Sequence, residues 1–124
     1  MIVIAFTGHR DKQTEEEFFD WIPKNALWVH GGAIGFDRQV QQYAYANKIQ
    51  TLVILPDYEK YKKDAPLIRN KEIIDKADML VACYDGRNYG GTFYTINLAR
   101  VKKIPIAFLP IKTVVGIQIN WSVD

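Results

Sequence analysis

Five short apolar runs recur along the chain, each followed by a longer stretch before the next. They are "IVIAFT" (2–7), "ALWVH" (26–30), "TLVIL" (51–55), "DMLVACY" (78–84) and "IPIAFLP" (104–110). Their nearly continuous apolar character is that of strands buried on both faces. Several intervening stretches have helical spacing. "GFDRQVQQYAYAN" (35–47) puts Phe36, Val40, Tyr43, Ala44 and Asn47 on one face. "PLIRNKEIIDKA" (66–77) and "TFYTINLARVKK" (92–103) read as two more helices, started by Asp64 with Pro66 and by Thr92 as a cap. A fourth helix is expected over "TEEEFFDWI" (14–22), where Thr14 and Glu17 have capping-box spacing and Pro23 closes the segment. "PDYEKYKKDA", opened by Pro56, reads as a long polar loop.

Strands alternating with helices imply an α/β fold with a mostly parallel sheet. Right-handed crossovers make it doubly wound, with helices on both faces and five strands in the order 3-2-1-4-5. Pro105 cannot donate to a strand ladder, so the last strand belongs at or near an edge, or Pro105 stands at its start. Residues 1–110 are expected to form one domain. The tail, 111–124, has β-branched residues around Gly116 and offers a sixth strand at that edge. A chain of 124 residues suits a single core.

The net charge is only +2, so no global basic field argues for a nucleic-acid partner. Lys60, Lys62 and Lys63 make one small basic loop, the composition of an ordinary solvated surface. The single cysteine, Cys83, lies inside an apolar run and reads as a buried thiol, which fits a reducing cytoplasm. "MIVIAF" has no basic leader and is too short for a membrane span, so no membrane partner is expected. No pair of His, Cys or carboxylates has metal-ligand spacing; neither a metal nor a cofactor is expected. Trp21, Trp28, Trp121 and seven tyrosines leave room for a homodimer face, although core packing accounts for most of them.

Ligands of open α/β sheets bind beyond the carboxyl ends of the strands. Three informative segments fall there: "TGHR" (7–10), "HGGAIGFD" (30–37) and "DGRNYGGT" (85–92). Two of them run into helices. A helix start presents unpaired N–H groups and the positive end of the dipole, and glycine lets an anion come close. The expected phosphate-binding set is therefore Gly31, Gly32, Ala33, Gly35, Gly90, Gly91 and Thr92. Thr7, Gly8, His9 and Arg10 would line the same crevice, Arg10 neutralising a phosphate and His9 bonding a base or ribose. Asp37 and Asp85 are the carboxylates nearest these loops; supporting the helix dipole and an Asx-turn are their plainer roles. Neither G-x-G-x-x-G nor the Walker pattern is present, so a dinucleotide oxidoreductase or P-loop NTPase is not supported.

"FTGHR", "HGGAIGFD" and "AD.L.A..DG...GGT" (77–92) together resemble the SLOG superfamily over about residues 2–109. That group includes the Lonely Guy phosphoribohydrolases, DprA-type DNA-processing domains and the YpsA-like proteins, and the small YpsA-like members are the most similar. The resemblance implies a Rossmann-like fold and a nucleotide or nucleotide-derived, ADP-ribose-like ligand. Lonely Guy enzymes, often dimers, cleave the N-glycosidic bond of nucleoside monophosphates with an arginine early in a helix and a glutamate three residues after the motif threonine. Arg69 matches the arginine, but Thr95 stands where the glutamate would be. A hydroxyl cannot replace a carboxylate as base or as a charge-stabilising group.

The first expectation is thus a module that binds or senses a nucleotide-type small molecule. The alternative is an N-glycosidic hydrolase or transferase in which Arg69 acts with Asp37 or Asp85. A third is a DprA-like single-strand-binding module, against which the near-neutral charge argues.

Overall fold

A computed structural model describes residues 1–112 of the chain. Five strands, β1 (Ile2–Gly8), β2 (Ala26–His30), β3 (Thr51–Val53), β4 (Met79–Cys83) and β5 (Ile106–Phe108), make one sheet. Every pairing is parallel and the order is β3-β2-β1-β4-β5. The α/β class and the strand order expected from the alternation are therefore those of the molecule, which is compatible with a Rossmann-like fold. Pro105 immediately precedes β5, an edge strand, and its carbonyl accepts from Leu80 N–H at 2.9 Å. The sixth strand expected in the tail falls beyond Lys112, outside the described residues.

Strand residues alternate between two cores, as the pleat dictates. Ile4, Phe6, Trp28, Val81 and Cys83 face α1 (Phe36–Ala46), which contributes Phe36, Val40, Tyr43 and Ala44. Rings dominate this layer: Trp28 stacks on Tyr43 at 5.8 Å, and Phe6 lies 4.7 Å from Trp28. Ala5, Val29, Leu80 and Ala82 face the other way, against Ile73 and Ile74 of α3 (Ala65–Lys76) and Ile96 and Ala99 of α4 (Gly90–Lys102). Lys102 Nζ ties these two helices together by donating to the carbonyls of Ile74, Asp75 and Ala77.

Four local expectations need correction. The helix over 14–22 is a single 3-10 turn, Glu16–Phe19, with no side-chain cap. Thr14 is buried instead: its hydroxyl donates to Pro110 O at 2.6 Å, its N–H to Gln39 Oε1 at 3.0 Å, and its carbonyl accepts from Gln39 Nε2 at 2.6 Å. All three groups of Thr14 are bonded to distant residues, and the N-cap position of the turn falls to Glu15. The polar stretch after Pro56 is not a plain loop. Asp57 accepts from Lys60 N–H at 3.1 Å and caps the one-turn α2 (Tyr58–Tyr61), and a 3-10 turn then leads into α3. Thr92 does not cap α4, which begins two residues earlier at Gly90. Asn47, placed on the apolar face of α1, is exposed and follows the helix as its C-cap. Among the described residues no helix is long and apolar enough to cross a membrane.

Candidate functional site

Because every strand runs the same way, the segments after β1, β2, β3 and β4 emerge at one rim of the sheet. A cleft of about 630 Å³ opens there, within the roughly 300–1,000 Å³ of small-molecule sites. Thr7, Gly8, His9, Arg10 and Asp11 line it from β1, and Gly31, Gly32, Ala33, Ile34 and Asp37 from β2 and α1. Leu55, Pro56 and Tyr58 follow β3. Pro66, Arg69 and Asn70 come from α3, and Arg87, Gly90, Gly91 and Thr92 from the segment after β4. Gly32 and Gly91 thus share one cleft.

The two glycine segments are built differently. In the first, the donors are already engaged. Gly31 N–H and Ala33 N–H donate to Asp37 Oδ2 at 3.2 and 3.3 Å, and Gly32 N–H donates to His30 Nδ1 at 3.0 Å. Since His30 Nδ1 accepts, its ring proton sits on Nε2 and is donated to Gln41 Oε1 at 2.6 Å. The absent side chains are occupied too. Arg69 lies against Gly31, its Nη1 donating to Gly31 O at 2.6 Å and more weakly to Ile54 O. A Cβ on Gly35 would overlap the Arg10 carbonyl. This loop is a seat for Arg69 and Asp37.

The second segment is open. Tyr89, at the N-cap of α4, provides no side-chain cap, so the first turn keeps its intrinsic donors and dipole. Gly90 has φ +91° with nothing among the described residues within 4 Å of a virtual Cβ, and Gly91 faces only Asn70 Nδ2 at 3.5 Å. Arg69 explains how Asn70 is oriented. Its Nε can only donate, and it does so to Asn70 Oδ1 at 2.7 Å. The amide nitrogen of Asn70 is thereby turned to the start of α4. Arg10 is exposed and in no ion pair among the described residues.

Asp85 is engaged elsewhere. Arg87 Nε donates to both of its carboxylate oxygens at 3.0 Å, and this contact holds the carboxyl well below its usual range despite some opposing burial. It does not line the cleft. His9 Nε2 accepts the Asp85 N–H at 3.2 Å and also lies 3.1 Å from Asp85 Oδ1. One nitrogen cannot accept the first and donate to the second. Burial is the largest influence on His9 and lowers its pKa, so the neutral, accepting ring is the state at pH 7.

Asp37 differs from Asp85 in every respect. It is 7 % exposed, burial raises its pKa, and the nearby His30 and Arg69 oppose that rise. Its Oδ1 is buried without a hydrogen-bond partner among the described residues. Thr95 donates to Gly91 O at 2.8 Å and is not part of the lining.

Of the candidate residues, Thr7, Gly8, His9, Arg10, Gly31, Gly32, Ala33, Asp37, Arg69, Gly90, Gly91 and Thr92 come together, whereas Gly35 and Asp85 lie outside the lining. Sequence reasoning did not single out Asp11, Ile34, Leu55, Pro56, Tyr58, Pro66 or Arg87 as site residues, and gave Asn70 no role beyond its place in a helix. The Arg-Asn pair at the start of a helix entering the rim was the available signal for Asn70. No three His, Cys, Asp or Glu among the described residues gather as metal ligands. Compared with known proteins, the chain matches no family model, no curated protein and no solved structure.

Proposed function

We propose that the cleft binds a nucleotide or nucleotide-derived small molecule, with a phosphate at the start of α4. The observation that carries this is the uncapped first turn of α4 opening into the cleft beside Asn70. Orphan N–H groups, the helix dipole and the Asn70 amide all favour an anion there. Arg10 supplies a full positive charge at the same rim. Leu55, Pro56, Pro66 and Tyr58 offer an apolar wall suited to a base. The likeness of "FTGHR", "HGGAIGFD" and "DGRNYGGT" to the SLOG superfamily supports the same ligand class. A buried Cys83, its thiol pushed up to about 12 by burial, suits a reducing cytoplasm.

The test is a thermal-shift screen of nucleoside monophosphates, cyclic nucleotides and ADP-ribose, with hits checked for breakdown by mass spectrometry. A ligand at a hundred times its Kd stabilises by about 2.7 kcal/mol. A flat response to the whole panel would refute the proposal.

A second reading is N-glycosidic cleavage of a nucleoside monophosphate. The unpartnered Asp37 oxygen favours it, because a buried carboxylate in the cleft can stabilise positive charge developing on a sugar. Asp37, with Arg69 beside it, then takes the part first shared with Asp85. Free base should accumulate with the wild-type chain and not with Asp37→Asn; equal release from both would remove Asp37 from the chemistry.

A further inference from the structure

Asp37 carries more hydrogen-bonding capacity than the fold uses. Oδ2 alone accepts from Gly31 and Ala33, and Asp37 is among the residues that line the cleft. Oδ1 is left buried and unpartnered among the described residues. Among the nearby donors, Gly32 N–H is on His30 Nδ1, His30 Nε2 on Gln41, and Arg69 Nε and Nη1 on Asn70, Gly31 O and Ile54 O, and none reaches Oδ1. An asparagine would serve Gly31 and Ala33 equally well with one oxygen. The second carboxylate oxygen is thus hydrogen-bonding capacity that the described residues leave unused. Buried acceptors without partners are rare enough to require an explanation.

We infer that the ligand donates a hydroxyl to Asp37 Oδ1 while its phosphate sits at α4, so that the cleft selects phosphorylated sugars and nucleosides over simple phosphate esters. The inference rests on the phosphate site proposed above and adds a second contact point to it. A hydroxyl fits better than an ammonium group. Arg69 and Arg10 line the same cleft, and α4 points its positive dipole end into it, so a cationic group would be repelled. A hydroxyl also has one proton to give and no charge to desolvate.

Calorimetric titration of the full chain with ethyl phosphate and with ribose 5-phosphate, at one pH and salt, tests it. The two share a phosphate monoester, and only the second brings hydroxyls. Ribose 5-phosphate should bind at least about tenfold tighter, the scale of giving a partner to one buried, unpaired acceptor. In Asp37→Asn the oxygen stays with the two loop amides and the NH₂ takes the place of Oδ1, a donor for an acceptor. The advantage should then shrink to within about threefold. Equal affinities in the wild-type chain, or an undiminished advantage in a folded Asp37→Asn, overturn the hydroxyl contact and leave the phosphate site standing. If neither probe binds, the phosphate site falls and the hydroxyl contact falls with it. If Asp37→Asn does not fold, Asp37→Ser takes its place with the same expectation, and equal wild-type affinities overturn the contact whatever the variants do.

Discussion

At Gly35 the backbone holds φ +80°, and the space a side chain needs is filled by the Arg10 carbonyl. Backbone cannot swing aside as a side chain can. Gly35→Ala should therefore lose about 2–4 kcal/mol, measured as a lower urea midpoint at unchanged m-value. Gly91 is the contrasting case, in the first turn of a helix and facing only Asn70 Nδ2. Gly91→Ala should hold stability or raise it by up to about 1 kcal/mol, while weakening any anion seated on α4. The glycines stood out in the sequence, but their separate duties did not. What fills the space at Gly31 is Arg69, brought there by the fold from 38 positions away. His9 gives a pH signature at the same scale. Burial lowers its folded pKa beneath the unfolded 6.5, so the unfolded chain takes up the proton first as pH falls. Its contribution is whole above about 6.5 and declines toward the folded value. Between pH 7.5 and 5.5 the wild-type melting temperature should fall more steeply than that of His9→Gln. A parallel pair of curves would place the effect elsewhere.

Whole elements were legible where the pattern was local. Ala26–His30 stands as a strand between the residues expected for it, and the apolar spacing of Phe36, Val40, Tyr43 and Ala44 gave α1 to within a residue at each end. Thr14 shows where that legibility stops. Thr14 and Glu17 have the spacing of a capping box, yet the hydroxyl reaches Pro110, 96 positions on, and the backbone pairs with Gln39. A spacing rule knows nothing of such partners. Asp57 is the reverse case: a side chain capping Lys60 N–H turned an apparently featureless polar stretch into α2. These assignments can be checked. If Thr14 ties the segment after β5 to α1, Thr14→Val should lose about 1–2 kcal/mol with no change in far-UV helix signal. A cap would show the opposite balance, with helix signal lost alongside stability.

For the molecule as a whole, strand order was readable because right-handed crossovers leave few topologies, and the rim followed from the order. The unequal use of the two glycine segments was not readable, since it depends on side chains from α1 and α3 crossing to the first of them. The order has a dynamic consequence. β1 and β4 have strand neighbours on both sides, whereas β3 and β5 are three-residue edges. Amides of Ala5, Phe6, Leu80 and Val81 should exchange only on global unfolding, and those of β3 and β5 sooner, through local opening. A ligand that binds only the folded chain slows every globally exchanging amide by one common factor. Beyond that factor, extra protection must come from local closure around the ligand. With a nucleotide hit at saturation, it should gather at Arg87, at Gly90–Thr92 and in the first turns of α3, which contribute to the cleft. β5 is separated from the cleft by β4 and contributes nothing to its lining, so it should gain no more than the global factor. Excess protection at Ile106–Phe108, with none at Gly90–Thr92, would put the ligand on the far edge of the sheet and remove α4 as its anchor.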